Sequence, residues 1–125
     1  MAITGAHVLL YSPEAAALRA VLSDVIGWDS VDAGGGGSGE LLPREESWPI
    51  FALPPAELGV HPAEQASHQL TLMCDDIEAT VADLRARGIE FRDDPHAAGF
   101  GIAATMVLPG NVDVMLYEPR HRTAI

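Results

Sequence analysis

The chain has a single cysteine, Cys74, among its 125 residues. No internal disulfide can form, and no thiolate cluster can hold a metal within one copy. Cys74 falls in an apolar stretch, where a small buried thiol accounts for it. Basic residues are scarce, seven against eighteen acidic ones, for a formal charge of −11. That argues against nucleic acid as a partner, because its phosphates demand clustered Arg and Lys. The acidic balance suits a cationic ligand, although solubility alone also explains it. No apolar run is long enough to span a membrane, and the start Met-Ala-Ile-Thr-Gly-Ala-His lacks the basic and greasy segments of a secretory signal. The expectation is a cytoplasmic protein, with residues 1–125 as one domain large enough to bury a core.

What is present is a pattern stated twice. His7 opens the phrase His-Val-Leu-Leu-Tyr, which leads into an apolar-periodic helix closed by Gly27. His68 opens His-Gln-Leu-Thr-Leu-Met-Cys, which leads into a second helix closed by Gly88. His68 follows His7 by 61 residues, and Gly88 follows Gly27 by the same interval. Glu57 maps onto Glu118 at that spacing too. A protein of two similar halves often has its binding cleft where they meet.

Residues 6–11 alternate, with His7, Leu9 and Tyr11 on one face and Val8 and Leu10 on the other, as in a strand with two environments. Ser12-Pro13-Glu14 then reads as a helix start, with serine as N-cap and an acid in the first turn. Leu18, Val21, Leu22, Val25 and Ile26 make one apolar stripe, and Gly27 stops it. Residues 28–31 form a short strand. Residues 33–47 contain Gly34-Gly35-Gly36-Gly37-Ser38-Gly39, too permissive for any regular element. With no Lys-Ser/Thr ending it is not a phosphate loop. It reads either as a mobile hairpin loop beside the pocket or as an engineered insertion, since Gly-Gly-Gly-Gly-Ser is a laboratory linker composition.

Residues 48–53 and 56–61 read as strands joined at Pro54-Pro55, which a central ladder does not admit. Residues 69–74 are the next strand. Asp75-Asp76 caps a helix whose stripe is Ile77, Val81 and Leu84, ended by Gly88. Residues 89–92, 102–108 and 112–117 supply three further strands, the last two joined by Pro109-Gly110-Asn111. Each half reads β-α-β-β-β, an α+β class, with module one at 1–62 and module two at 63–125.

That order, together with Leu70-Thr71-Leu72-Met73-Cys74-Asp75-Asp76-Ile77, Ala56-Glu57-Leu58 and Met115-Leu116-Tyr117-Glu118-Pro119, resembles the vicinal oxygen chelate superfamily. Its members include glyoxalase I, extradiol dioxygenases, fosfomycin-resistance enzymes and bleomycin-resistance proteins. The resemblance implies two βαβββ modules curled into an open curved sheet, or half-barrel, around a small-molecule pocket. It implies one divalent ion (nickel, zinc, iron or manganese) in the metalloenzymes, held by residues of the first, fourth, fifth and eighth strands. It also implies a homodimer with sites built from both subunits.

By that resemblance His7 occupies the first ligand position and Glu57 the second, where glutamate can also serve as the proton-transfer base. The third position falls on Gln69 by count and strand parity, with His68 one residue earlier. A one-residue shift turns a strand side chain to the opposite face, so His68 needs a bulge or a strand end to swing in. At the fourth position, usually glutamate, stands Met115, a soft donor poorly matched to such ions. Asp113, two residues earlier on the same face, is the substitute. Parity turns Glu118 away with Val114 and Leu116, as a solvated strand-end carboxylate. His61 is a spare donor, and basic residues 119–122 read as an ordinary frayed segment.

Three functions follow. The first is a metal-dependent lyase or dioxygenase acting on a small vicinal-oxygen substrate, with Glu57 as the base. The second is a binding or drug-sequestering protein with a degenerate metal site or none, its pocket lined by Leu9, Tyr11, Met73, Met115 and Tyr117. The third is a domain whose pocket has closed. The apolar lining and the missing fourth glutamate favour the second.

Overall fold

In the computed structural model, which describes residues 6–32 and 49–125, the two helices end alike. The first, α1 (Ala15–Ala20), runs on into a π-helical turn, Val21–Ile26. The second, α2, is Ile77–Ala86. Gly27 and Gly88 close them at φ of 84° and 93°, a left-handed conformation that a side chain disfavours. Trp28 N–H donates to Leu22 O and Ile89 N–H to Leu84 O, each at 3.0 Å. One more residue separates leucine from the donor in the first ending, and the wider π turn takes it up.

The helix starts differ. Asp76 caps α2, its carboxylate accepting from Ala79 N–H at 3.1 Å. That satisfies one of the amides a helix start leaves unpaired. Ser12 does not cap α1 in this way. Its hydroxyl accepts from Glu14 N–H at 3.0 Å and donates to Pro109 O at 2.8 Å. Serine thus shapes the entry turn and ties it to the second half, and the helix begins only at Ala15.

Two sheets follow. β1 (Ser30–Asp32) and β2 (Pro49–Phe51) form an antiparallel pair. The larger sheet contains β3 (Thr71–Met73), β4 (Glu90–Phe91), β5 (His96–Ala98), β6 (Gly101–Leu108) and β7 (Val112–Pro119). Its order is β3-β7-β6-β4, with β5 also on β6. β3 runs parallel to β7, and the other pairings are antiparallel. At the β6–β7 turn, Gly110 and Asn111 have φ of 87° and 62°. A Cβ on Gly110 would overlap the Ser12 hydroxyl, so this position needs glycine for both backbone and space.

The core lies between one sheet face and the helices. Leu72, Ala104, Met106, Val114 and Leu116 pack with Ile77 and Val81 of α2 and with Leu18 and Leu22 of α1. The buried residues of each helix recur four apart, as a core-facing stripe requires. The architecture is α+β with a curved multi-stranded sheet, and no described helix is long and apolar enough to cross a membrane.

Several expected elements are altered. Residues 6–11 and 56–61 join no ladder. Their alternation is genuine, but a strand also needs a neighbour for its N–H and C=O groups, and the described part of the chain supplies none. Leu58 and Val60 are 90% and 89% exposed. The strand expected over 69–74 is only β3, which leaves His68 and Gln69 outside it, and β5 is an addition. The glycine-rich segment 33–47 lies outside the described residues.

Candidate functional site

The face of the larger sheet turned away from the helices is built by strand register. Met115 of β7 stands between Thr71 of β3 and Thr105 of β6. Two residues on, Tyr117 stands between Met73 and Ala103, and Ala103 also pairs with His96. Cross-strand partners point to the same side and alternate residues to opposite sides. Met73, Met115 and Tyr117, three of the five expected pocket residues, therefore share one face, opposite the core-facing Leu72, Val114 and Leu116. The other two, Leu9 and Tyr11, are exposed on the unpaired segment, while Leu10 between them packs on the core.

Tyr117 is the anchor of this face. Phe100 meets its ring edge-on, 5.2 Å between centroids at 88°, a favourable quadrupole arrangement. His121 lies tilted over it at 5.9 Å. His121 Nδ1 sits 2.9 Å from Arg122 O. A carbonyl only accepts, so Nδ1 carries the proton and Nε2 accepts from the Tyr117 hydroxyl at 3.1 Å. Burial pushes the Tyr117 hydroxyl above the ordinary tyrosine value of 10.0, and the charge of Glu57 raises it further.

Glu57 is half-buried while every other residue from Ala52 to Gln69 is exposed. Its Oε2 accepts from Ala124 N–H at 2.5 Å. Leu58 and Val60, on the opposite parity, are exposed rather than packed, and so are Gly59 and His61 on the parity of Glu57. Glu118 also turns away from the Tyr117 face, but it is not merely solvated. Its Oε1 accepts from Ile77 N–H at 3.2 Å, and its Oε2 accepts from Arg120 Nη2 at 3.2 Å. A carboxylate at a helix N-terminus is favourably placed. Cys74 lies beside it, partly buried, its thiol pushed above the ordinary 9.0 first by burial and then by charges that include Glu118.

The expected metal donors do not assemble within one chain. His7, His68 and Gln69 are exposed. Asp113 Oδ1 takes Arg92 Nε at 2.6 Å, and the same guanidinium reaches Asn111 Oδ1 at 2.8 Å. A carboxylate held by a guanidinium offers an ion little free charge. Among the described residues no three His, Cys, Asp or Glu side chains gather closely enough to hold a metal. A divalent site needs three or four converging donors, and these residues do not fit one in this arrangement.

Phe100 and His121 have no place in the sequence-based site. The only sequence hint for Phe100 is an aromatic set between Gly99 and Gly101. His121 lies in the segment read as frayed.

Comparison with solved structures returns the same architecture. TnmS3 from Streptomyces sp. CB03234, described as an antibiotic binding protein, matches with a TM-score of 0.64 and 21% identity, covering 95% of this chain and 98% of that one. A glyoxalase/bleomycin resistance protein from the same organism matches at 0.54 and 20% identity, covering 86% and 93%. A member of the same superfamily from Sphaerobacter thermophilus DSM 20745 matches at 0.62 and 18%, covering 94% and 99%. At such identities the likeness is one of fold. No curated protein sequence matches the chain. The family model for glyoxalases, bleomycin resistance proteins and dioxygenases matches residues 5–119, nearly the whole chain, which therefore belongs to the Glyoxalase/Bleomycin resistance protein/Dioxygenase superfamily.

Proposed function

We propose that this protein is a cytoplasmic small-molecule-binding protein of its superfamily, sequestering an antibiotic-like ligand without a resident metal. The observation that carries the reading is the shared face of Met73, Met115 and Tyr117, bordered by Thr71 and Thr105 and uncovered by either helix. Methionine and tyrosine give such a face apolar area and adaptability, and the two threonines add hydroxyls that orient a ligand. The antibiotic-binding description of TnmS3 supports the ligand class, and the net charge of −11 suits a cationic one.

The working form is a homodimer. Residues 6–11 and 56–61 alternate as strands but lack a ladder, and they expose Leu9, Tyr11, Leu58 and Val60. A second copy would supply edges for them and wall the open face, as two-fold association does most economically. On this reading His7, Leu9 and Tyr11 reach a pocket only across the subunit boundary.

Calorimetry of the full chain against cationic glycopeptide antibiotics and neutral planar aromatics tests the proposal. Binding by at least one class, weakened by Met115→Asp, is expected. Silence across both panels would sink it. Adding nickel, zinc, iron or manganese is expected to leave the melting temperature unchanged, and a stoichiometric upward shift would return the metalloenzyme reading to the front.

A further inference from the structure

On an uncovered sheet face Tyr117 ought to be open, yet it is only 9% exposed. Its row neighbour Met73 and the Met115 row beside it are half-buried. What covers it is Phe100, just before β6, together with the chain beyond β7. Arg120 N–H donates to Phe100 O at 2.9 Å, in register with the Gly101–Pro119 pair, so the chain follows β6 for one more residue before leaving the ladder. His121 then lies on the Tyr117 ring and takes its hydroxyl. Three residues later Ala124 N–H reaches Glu57, a carboxylate contributed by the first half of the chain. Thr123 Oγ1 donates to Ile125 O at 3.0 Å, stiffening the segment. The effect of the Glu57 charge on Tyr117 agrees with this closeness.

We propose that residues 120–125 form a strap latched across one end of the ligand face by the Tyr117–His121 and Glu57–Ala124 hydrogen bonds, and that a ligand reaches Tyr117 only when the strap lifts. This rests on the ligand-binding reading of that face and adds its regulation. A ligand that meets a partly closed site loses apparent affinity in proportion to the closed fraction. Glu57 then acts as a latch, and the face has two states whose balance one charge-assisted hydrogen bond sets.

Two measurements on the full chain test the strap. Ala124 N–H belongs to no ladder, so its hydrogen exchange reads the latch directly, with or without a ligand. Protection in the parent is expected, lost in Glu57→Ala and kept in Glu57→Gln, which retains an acceptor oxygen. The second is titration with the neutral planar dye N-phenyl-1-naphthylamine. Glu57→Ala and His121→Ala are expected to raise its apparent affinity about tenfold, the scale of one charge-assisted hydrogen bond. An unprotected Ala124 in the parent overturns the strap. Equal dye affinity in parent and variants overturns the gating while leaving the binding face intact. A protected Ala124 with no dye binding by any of these proteins removes the ligand reading, and the gating with it.

Discussion

The two halves of this molecule begin from one pattern and finish as different objects. Both have a helix closed by a left-handed glycine, and both carry a glutamate at the same interval near the end. Yet of the twelve buried apolar residues among those described, ten follow residue 76 and only Leu18 and Leu22 precede it. The second half closes a five-stranded sheet over its own helix. The first half lends a helix to that core, keeps one short antiparallel strand pair, and has two strand-like segments that pair with nothing among the described residues. The glutamates diverge as well. Glu118 docks on a helix N-terminus, whereas Glu57 holds a passing backbone amide. Matching periodicity therefore specifies neither matching burial nor matching partners.

The sharpest way to break this comparison is to cut into each half. Met106 has no exposed surface; Met106→Ala is expected to cost about 2–5 kcal/mol by chemical denaturation. Leu58→Ser is expected to change folding stability by less than about 0.5 kcal/mol, as at other open positions. It should instead weaken self-association in sedimentation experiments. Comparable folding losses from the two substitutions would mean that the first half has a core of its own.

A smaller effect tests the junction. Gly110→Ala places a methyl where the Ser12 hydroxyl lies and holds alanine at positive φ. A loss of about 1–3 kcal/mol is expected. Ser12→Ala should lose less, because it removes the contact without straining the turn. If Gly110→Ala melts with the parent, the halves are not clasped there.

Smaller again are the helix ends. Neither Gly27 nor Gly88 has an atom within 4 Å of a built Cβ, so an alanine at either meets only the left-handed penalty of roughly 1–2 kcal/mol. Equal losses from the two substitutions would sharpen the repeat. A clearly smaller loss at Gly27 would show that the π turn absorbs the strain.

The least effect is in pH. Cys74 and Tyr117 both hold their protons more tightly when folded. Above the unfolded values of 9.0 and 10.0 the unfolded chain has fewer bound protons than the folded one, so stability falls as pH rises through that range. Melting temperatures followed upward from pH 8 should decline, and Tyr117→Phe should flatten the part above 10. A rise in stability over this range would contradict the burial of both groups.

Much of the fold is legible in the sequence because the features involved are local. Gly27, Gly88 and Asp76 announce helix ends through backbone requirements that act within one turn. The period of two places Leu72, Val114 and Leu116 against the helices and Met73, Met115 and Tyr117 opposite them, with no need to know strand order. What escapes is non-local. Residues 6–11 and 56–61 display the right alternation, but alternation does not say whether a pairing edge exists. Phe100 and the Arg92–Asp113 pair depend on separate chain segments meeting: Phe100 reads as a loop residue, and Asp113 reads as a substitute metal ligand until Arg92 is seen to hold it. His121 is only four residues from Tyr117, but the segment that carries it reads as frayed.

The strand order described above also bears on how the protein is made. β7 lies between β3 and β6, so the large sheet has no middle until residues 112–119 have left the ribosome. The helix of the first half waits meanwhile, with Leu18 and Leu22 lacking the surface they will cover. Non-local pairings of this kind form slowly and leave apolar segments open to wrong partners. A translational pause or a holding chaperone late in synthesis is therefore expected to raise the yield of soluble product more than an early one.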